Sequence, residues 1–272
     1  MRSGSGRPLV LVHGLLGYSF SWRWIVPVLA RHAAVFAPDM LGSGFSDHPS
    51  DIDYAVVASG ERLLRFLDVV GVESCDLLGT SFGGAIAMAA ASMAPRRFRS
   101  LVLAAPVNPW SSNGRYRAAL LGRWPIAPSL KRLGPKFHFL DAFILSRLYG
   151  DKKRIRPGTL EGYSAAFRTC SSFESPLYIL RAWNQDLKAL RTMIPQIANI
   201  PTLLIWGDKD AAVDPHSAGP LQRQFQNCQI VILNGVGHVA YEEVPEEFSS
   251  VVGRYLASRE SDARTISSDY RL

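Results

Sequence analysis

The sequence is poor in cysteine and has no long hydrophobic run. Its three cysteines, Cys75, Cys170 and Cys228, are too few and too scattered for a disulfide framework or a metal cluster. No apolar run approaches the roughly 20 residues that a transmembrane helix requires, and no separate apolar segment ahead of a small-residue cleavage site opens the chain. These absences predict a cytoplasmic protein with structural thiols, no stable membrane insertion and no bound metal.

Length and composition favour one large domain that carries an insertion. The chain has 272 residues, of which 47% are hydrophobic, and no internal repeat or low-complexity segment stands out. The formal net charge is +7, and residues 96–191 hold 18 Lys or Arg against 5 Asp or Glu. Such a basic region is either a set of solvated helix faces or a surface that attracts anionic substrates or lipids.

Short apolar runs alternate with segments of helical spacing along most of the chain. Strands are predicted at Pro8–Val12, Ala34–Ala37, Cys75–Leu78, Leu101–Ala104, Thr202–Trp206 and Gln229–Leu233. Helices are predicted near Trp22–Arg31, Val56–Val70, Phe82–Met93, Ala218–Gln226 and Glu246–Ala257. This alternation indicates an α/β fold with a mostly parallel sheet that helices cover on both faces.

A serine between glycines lies where one of these strands meets a helix. The residues are Gly79-Thr80-Ser81-Phe82-Gly83, which match the nucleophile elbow G-x-S-x-G. The flanking glycines are needed because side chains there would clash with the adjacent strand and helix. The turn would hold the Ser81 hydroxyl in the open at a helix N-terminus, where negative charge is favoured. A glycine-rich turn with an incidental serine is the alternative.

The rest of the chain supplies the two groups that a serine nucleophile requires. A serine hydroxyl needs a base, and the base needs a carboxylate to orient it. His238 follows the strand predicted at 229–233, and Asp208, Asp210 and Asp214 all follow the strand at 202–206. The order serine, acid, histidine is that of an α/β-hydrolase, with the choice among the three aspartates still open.

Motifs spread over nearly the whole chain resemble those of the α/β-hydrolase superfamily, in the group whose members share a helical cap with esterases and epoxide hydrolases. They are His13-Gly14-Leu15, Ser19-Phe20-Ser21-Trp22-Arg23, Ala37 to Asp47, the elbow, Gly207 to Asp210, and Gly237-His238. The resemblance implies that Asp210 is the orienting acid, because the family pattern is Gly-x-x-Asp, and that Asp208 braces the loop. It also implies that His13 shapes the oxyanion loop and is not the base.

Two departures narrow the activity that the resemblance implies. Epoxide hydrolases and haloalkane dehalogenases of this fold carry an aspartate nucleophile where this chain has Ser81, and the epoxide hydrolases tend to have proline where it has Leu16. Separately, Asn108 occupies the alternative acid position of the fold, and the absence of a carboxylate there strengthens the assignment of Asp210 as the acid. The two departures concern the reaction itself. Ester-type acyl transfer therefore fits better than epoxide opening or dehalogenation.

These inferences predict a serine hydrolase that cleaves small-molecule carboxylic esters of short-to-medium acyl chains. Ser81, His238 and Asp210 would form the triad, and the backbone N–H groups of Leu15 and Phe82 would form the oxyanion hole. No organic cofactor, metal or nucleic-acid partner is expected. The same triad also serves C–C bond hydrolases and lyases, and the fold serves slow-turnover ligand receptors, so these remain alternatives.

The predicted domain plan has a core, an insertion and a tail. Residues 1–106 and 196–257 form the core, residues 107–195 form a helical cap rich in Leu, Phe, Tyr, Arg and Pro, and residues 258–272 form a polar tail. The N-terminal hairpin that precedes the first strand in relatives is expected to be missing, so Ala34–Ala37 would become an apolar sheet edge. Such an edge predicts pairing with a second copy of the chain or marginal stability, unless the tail or a loop covers it.

Overall fold

The computed structural model describes residues 1–111, 138–165 and 174–268. These residues form a seven-stranded sheet in the order β1-β3-β2-β4-β5-β6-β7. Only β1 is antiparallel to its neighbour, and every other pair is parallel. The strands are β1 (Arg2–Ser3), β2 (Arg7–Val12), β3 (Ala33–Phe36), β4 (Cys75–Thr80), β5 (Phe98–Ala104), β6 (Thr202–Gly207) and β7 (Cys228–Leu233).

All six predicted strands are present, with ends shifted by at most a few residues. Their pairing aligns the carboxyl ends, because Val12 lies opposite Gly79, Thr80 opposite Ala104, and Gly207 opposite Leu233. The segments that follow β2, β4, β6 and β7 therefore emerge at the edge of the sheet that the carboxyl ends of the strands form, which is distinct from the outer side of β3. In open parallel sheets this is where ligands bind.

The prediction that Ala34–Ala37 forms a bare sheet edge is wrong. Strand β1 pairs antiparallel with β3, with Arg2 opposite Phe36 and Ser3 opposite Val35. Gly4 carries the chain past the start of β3 with a φ of +77°, so close to the Ala30 and Ala33 carbonyl groups that a Cβ would clash with them. The outer side of β3 is thereby paired with β1. Homodimer formation stays a prediction, but an unpaired β3 no longer supports it.

The helices of the described residues surround this sheet. They are α1 (Val26–Leu29), α2 (Val56–Val69), α3 (Phe82–Met93), α4 (His138–Leu148), α5 (Thr159–Ala165), α6 (Glu174–Met193), α7 (Ala218–Gln222), α8 (Ala240–Glu243) and α9 (Pro245–Ser268). Short 3-10 helices cover Ser19–Trp22, Pro95–Arg97, Lys152–Arg154, Ile194–Ile197 and Pro215–Ser217. The helix predicted at 22–31 is thus shortened to α1, α8 was not predicted, and the last helix continues past 257.

The core has two parts, one on each face of the sheet. Val10 and Val12 of β2 face the cluster that contains α2 and α3, whereas Leu9 and Leu11 face the cluster built on the opposite side with α1 and α9. Alternation of this kind within a wholly apolar strand is what burial on both faces requires. The predicted α/β fold, with helices on both faces of a mostly parallel sheet, is confirmed.

Helices α4, α5 and α6 lie between β5 and β6 in the chain, within the predicted cap at 107–195. Parts of that cap, residues 112–137 and 166–173, and the tail end at 269–272 lie outside the described residues, so the domain boundaries stay predictions. Among the described helices, none has the length and apolar character to cross a membrane.

Candidate active site

Ser81 lies at the sharp turn between β4 and α3. Its backbone has φ 53° and ψ −123°, a conformation that costs a non-glycine residue on the order of 1 to 3 kcal/mol. The turn is fixed on both sides: the Ser81 N–H donates to Ala104 O at 3.0 Å, and its carbonyl accepts from Val107 N at 2.9 Å. Neighbouring β5 therefore holds the serine in its strained geometry.

The glycines around Ser81 are required by close backbone approach. A Cβ on Gly79 would lie 2.5 Å from the Gly83 carbonyl oxygen, and one on Gly83 would collide with the Val12 and His13 carbonyls. A Cβ on Gly14 would lie 2.9 Å from the Cβ of Ser81. The clash expected from the sequence is confirmed, and the end of β2 lies directly against the serine.

Asp210 and His238 are brought together as predicted. His238 Nδ1 lies 2.8 Å from Asp210 Oδ2, and both residues are buried. The other carboxylate oxygen of Asp210 accepts the N–H groups of Ala212 at 2.8 Å and Val213 at 3.0 Å. Because the carboxylate can only accept, Nδ1 carries a proton, so in the neutral imidazole the lone pair is on Nε2, which is the tautomer that acts as a base.

The structure does not join Ser81 to this pair by a hydrogen bond. Among the described residues, the Ser81 hydroxyl has no hydrogen bond to His238. All three residues nevertheless follow strands of the same sheet edge. Catalytic hydrogen bonds are often long in ligand-free enzymes and tighten when substrate binds, so the arrangement is compatible with a triad.

The predicted oxyanion donors lie on either side of Ser81. Phe82 is the first residue of α3, so its N–H has no partner within the helix and lies at the positive end of the helix dipole. Leu15 lies in a turn closed by the Gly17 N–H donating to Gly14 O at 3.0 Å. Within the described chain, neither the Leu15 nor the Phe82 amide donates a hydrogen bond. Both amides are therefore free to bind an oxyanion.

The turn that presents Leu15 is itself strained. Leu16, its third residue, has a φ of 62°, as a type II turn requires and as few non-glycine residues adopt. Proline is fixed near −65°, so the backbone seen here excludes the proline that epoxide hydrolases tend to have at this place. The departure noted in the sequence thus corresponds to a different turn geometry.

The His13 ring forms hydrogen bonds to the backbone of this turn and of a neighbouring loop. Its Nδ1 lies 2.9 Å from Gly14 O, and its Nε2 accepts the Met40 N–H at 3.0 Å. Burial lowers the pKa of His13, an effect partly opposed by the Gly14 carbonyl and the Asp39 carboxylate. The neutral ring connects two loops and has no free lone pair for catalysis, in agreement with the supporting role expected from the resemblance.

The competing polar residues have structural partners. Asp208 accepts the Gly235 N–H at 2.6 Å and so braces the loop that carries His238. Asp214 accepts the His216 N–H at 3.0 Å at the start of a 3-10 helix. Asn108 is fully buried, and its side-chain amide donates to Pro106 O at 2.9 Å and Ser217 Oγ at 3.0 Å. Asp210 is the aspartate of the three that contacts His238.

A sequence model described as the alpha/beta hydrolase fold matches residues 7–245, which is most of the chain. The chain belongs to the α/β-hydrolase fold family. The family resemblance inferred from the motifs is thereby confirmed, and with it a hydrolase as the class of enzyme.

Relatives of this α/β-hydrolase differ in activity. It is 31% identical over 277 residues to 2-hydroxymuconate semialdehyde hydrolase of Pseudomonas sp. (strain CF600), covering 97% of this chain and 91% of that one. It is 28% identical over 246 residues to Lipase 3 of Moraxella sp. (strain TA144), covering 89% and 75%. A haloalkane dehalogenase loop variant from Bradyrhizobium elkanii superposes with a TM-score of 0.83 at 21% identity, covering 97% and 94%, which shows the fold alone.

Sequence reasoning missed the two buried acids of α8. Glu242 forms a bidentate ion pair with Arg23, with Nη2 and Oε2 2.8 Å apart, and accepts the Tyr163 hydroxyl at 2.8 Å. Burial raises the pKa of Glu242, and the Arg23 charge opposes that rise. Glu243 is also buried, and it accepts the N–H groups of Gly150 and Asp151, more than ninety residues away in the chain. In the sequence both resemble ordinary acids before a helix, so no local signal distinguishes them.

Proposed function

We propose that the protein is a serine hydrolase of carboxylic esters that uses Ser81, His238 and Asp210. The observation that carries the proposal is the strained elbow serine on the same sheet edge as a buried histidine already paired with a carboxylate. A non-glycine residue held in this backbone geometry costs free energy, and neighbouring strands maintain it at the point where a nucleophile would be presented. Esters are the substrates that a Ser-His-Asp site attacks most readily.

In the proposed reaction, Ser81 Oγ attacks the ester carbonyl carbon while His238 Nε2 takes its proton. The carbonyl oxygen gains negative charge between the N–H groups of Leu15 and Phe82, each donor contributing about 3 kcal/mol or more to the transition state. The histidine then gives the proton to the leaving alcohol, and water activated by the same histidine hydrolyses the acyl-enzyme. Asp210 holds the imidazole with its proton on Nδ1 throughout.

Hydrolysis of a C–C bond is the second candidate, and a specific observation favours it. Two relatives named 2-hydroxymuconate semialdehyde hydrolase are 31% and 32% identical to this chain and match it over 96% of its length or more. A semialdehyde contains no ester, so its hydrolysis must break a carbon–carbon bond next to a carbonyl. The same nucleophile, base and oxyanion donors would serve that reaction, and the unassigned pocket residues would decide between the two.

Parallel turnover assays test the proposal. The purified protein is given p-nitrophenyl esters of increasing acyl length and, separately, 2-hydroxymuconate semialdehyde, whose loss is followed by absorbance. Ester turnover greatest for short-to-medium chains supports an esterase, and turnover of the semialdehyde alone supports the second candidate. A fluorophosphonate should label Ser81 and should not label Ser81→Ala. Failure to turn over either class would contradict both, and favour a lyase or a ligand receptor.

The remaining expectations about partners accompany this proposal. A cap over the site would restrict substrates to small, soluble esters, and we expect neither a nucleic-acid partner nor membrane insertion. The cytoplasmic location inferred from the cysteine content is also part of the proposal. Separation of purified protein by size with light-scattering detection would show whether a homodimer forms.

A further inference from the structure

Glu243 has an unusual set of partners for a carboxylate five residues after the candidate base. Its side chain is buried, and its Oε2 accepts the N–H groups of Gly237 at 2.8 Å and Gly150 at 2.9 Å. Its Oε1 accepts the N–H of Asp151 at 2.9 Å and an Arg154 Nη1 at 3.3 Å. Four donors from two distant segments therefore converge on one carboxylate, which compensates for its burial.

The two segments joined by Glu243 are the loop of His238 and the chain that follows α4. The His238 N–H donates to Leu148 O at 2.7 Å. The two segments are therefore joined by a direct backbone hydrogen bond as well as through the Glu243 carboxylate. A Cβ on Gly150 would lie 2.6 Å from the Gly235 carbonyl and 2.8 Å from the Gly237 nitrogen. Only glycine fits where these backbones touch.

The loop before His238 needs such external support. It contains Gly235, with a φ of +70°, and Gly237 within four residues of the histidine, and glycine leaves a backbone unusually free. The Asp208 carboxylate accepts the Gly235 N–H, and the Glu243 carboxylate accepts the Gly237 N–H. Together these two hydrogen bonds restrain the loop. Asp210 orients the imidazole, but the backbone that carries the imidazole is set by these contacts.

We infer that Glu243 is a positioning residue for His238, and that through it the segment 148–151 of the insertion sets the location of the base. The inference rests on the proposed function for the role of His238. It goes further because it couples the inserted region to the base through defined hydrogen bonds, so displacement of 148–151 should move the histidine relative to Ser81.

Glu243→Gln tests this directly, because each carboxylate oxygen accepts two donors. Whichever way the amide is turned, its NH₂ group faces two N–H donors and two hydrogen bonds are lost. We expect kcat for a p-nitrophenyl ester to fall roughly 10- to 100-fold, the loss typical of a misplaced catalytic group, with KM nearly unchanged. The matched control is Glu246→Gln, whose exposed carboxylate pairs with Arg156 of the insertion at 3.0 Å, and which should leave kcat unaltered.

A readout independent of turnover separates this inference from the proposed function. The Nδ1 proton that His238 shares with Asp210 should give a downfield NMR signal, assigned by its loss in His238→Gln. In Glu243→Gln the signal should shift or broaden, whereas Glu246→Gln should keep it. If the wild-type protein hydrolyses no ester but the signal responds in this way, the proposed function fails and the positioning role stands.

Gly150→Ala provides a second test should Glu243→Gln fail to fold. It leaves the carboxylate intact and forces the two backbones apart. The expected results are the same fall in kcat and the same change in the histidine signal. A folded Glu243→Gln or Gly150→Ala protein with unchanged kcat and an unchanged histidine signal would overturn the inference.

Discussion

Replacing Asp186 with asparagine should stabilise the protein more at pH 8 than at pH 5. Asp186 lies on α6 and is 4% exposed, and its Oδ1 accepts the N–H of Val56, the first residue of α2, at 3.1 Å. Its Oδ2 is buried and has no hydrogen-bond partner among the described residues. The carboxylate is thus taken out of water with only one of its two oxygens hydrogen-bonded within the described chain.

The structure indicates the size of this effect. Burial raises the pKa of Asp186 from 3.8 to about 7, the hydrogen bond from Val56 opposes the rise, and the nearby Asp53 carboxylate adds to it. Since the folded state holds the proton more tightly, stability falls as the pH rises from about 4 to about 7 and is lowest above that range. Each tenfold difference in proton affinity corresponds to about 1.4 kcal/mol, so ionisation of Asp186 lowers the free energy of unfolding by at most about 4 kcal/mol.

Urea unfolding at pH 5 and pH 8 measures the effect. The asparagine variant keeps the acceptor for Val56 and cannot ionise, so its stability relative to wild type should rise by about 2 to 3 kcal/mol between these values. Glu61→Gln, on the exposed side of α2, is the control and should show a difference that does not vary with pH. An Asp186→Asn difference that is equal at both pH values would refute the reasoning.

Three further predictions concern the site. Ser81→Ala should lower kcat for ester hydrolysis by about 10⁶-fold while leaving the circular dichroism spectrum unchanged, and residual activity near wild type would rule out the nucleophile. Asp210→Asn should lower kcat by about 10⁴-fold, far more than Asp208→Asn, because of the two only Asp210 contacts His238. Steady-state kinetics in which Asp208→Asn has the larger effect would exclude Asp210 as the acid that orients His238. Turnover of soluble short-chain esters should exceed that of emulsified long-chain triglycerides, and the opposite order would indicate an open lipid groove.

Much of the fold and the candidate site could be predicted because the signals are local. The apolar strands precede Ser81, Asp210 and His238 directly, and parallel strands bring their carboxyl ends to one edge regardless of what separates them in the chain. Gly79 and Gly83 were informative because the elbow geometry excludes a side chain at both positions. The family match extends over residues 7–245, a range that contains Ser81, Asp210 and His238.

The features that escaped prediction depend on contacts between distant residues. Strand β1 has two residues and no periodicity, and it exists because Gly4 lets the chain cross the start of β3. Glu243 meets the N–H of Gly150 across 93 residues, and Asp186 meets Val56 across 130. Nothing in the sequence around either acid distinguishes it from a solvated one, so their burial could be learned only from the three-dimensional structure.

The left-handed backbone of Leu16, Ser81 and Ala105 has a consequence for engineering. They are the non-glycine residues with positive φ in the described chain, and all three follow strands at the edge where the candidate site lies. Glycine at Leu16 or Ala105 would relieve on the order of 1 kcal/mol of strain each. A selection for heat resistance alone would therefore enrich substitutions at the turn that contains Leu16 and in the segment after β5 that contains Ala105. The most thermostable variants from such a selection would have a more flexible backbone at the candidate site. Selection for stability should therefore be paired with selection for turnover.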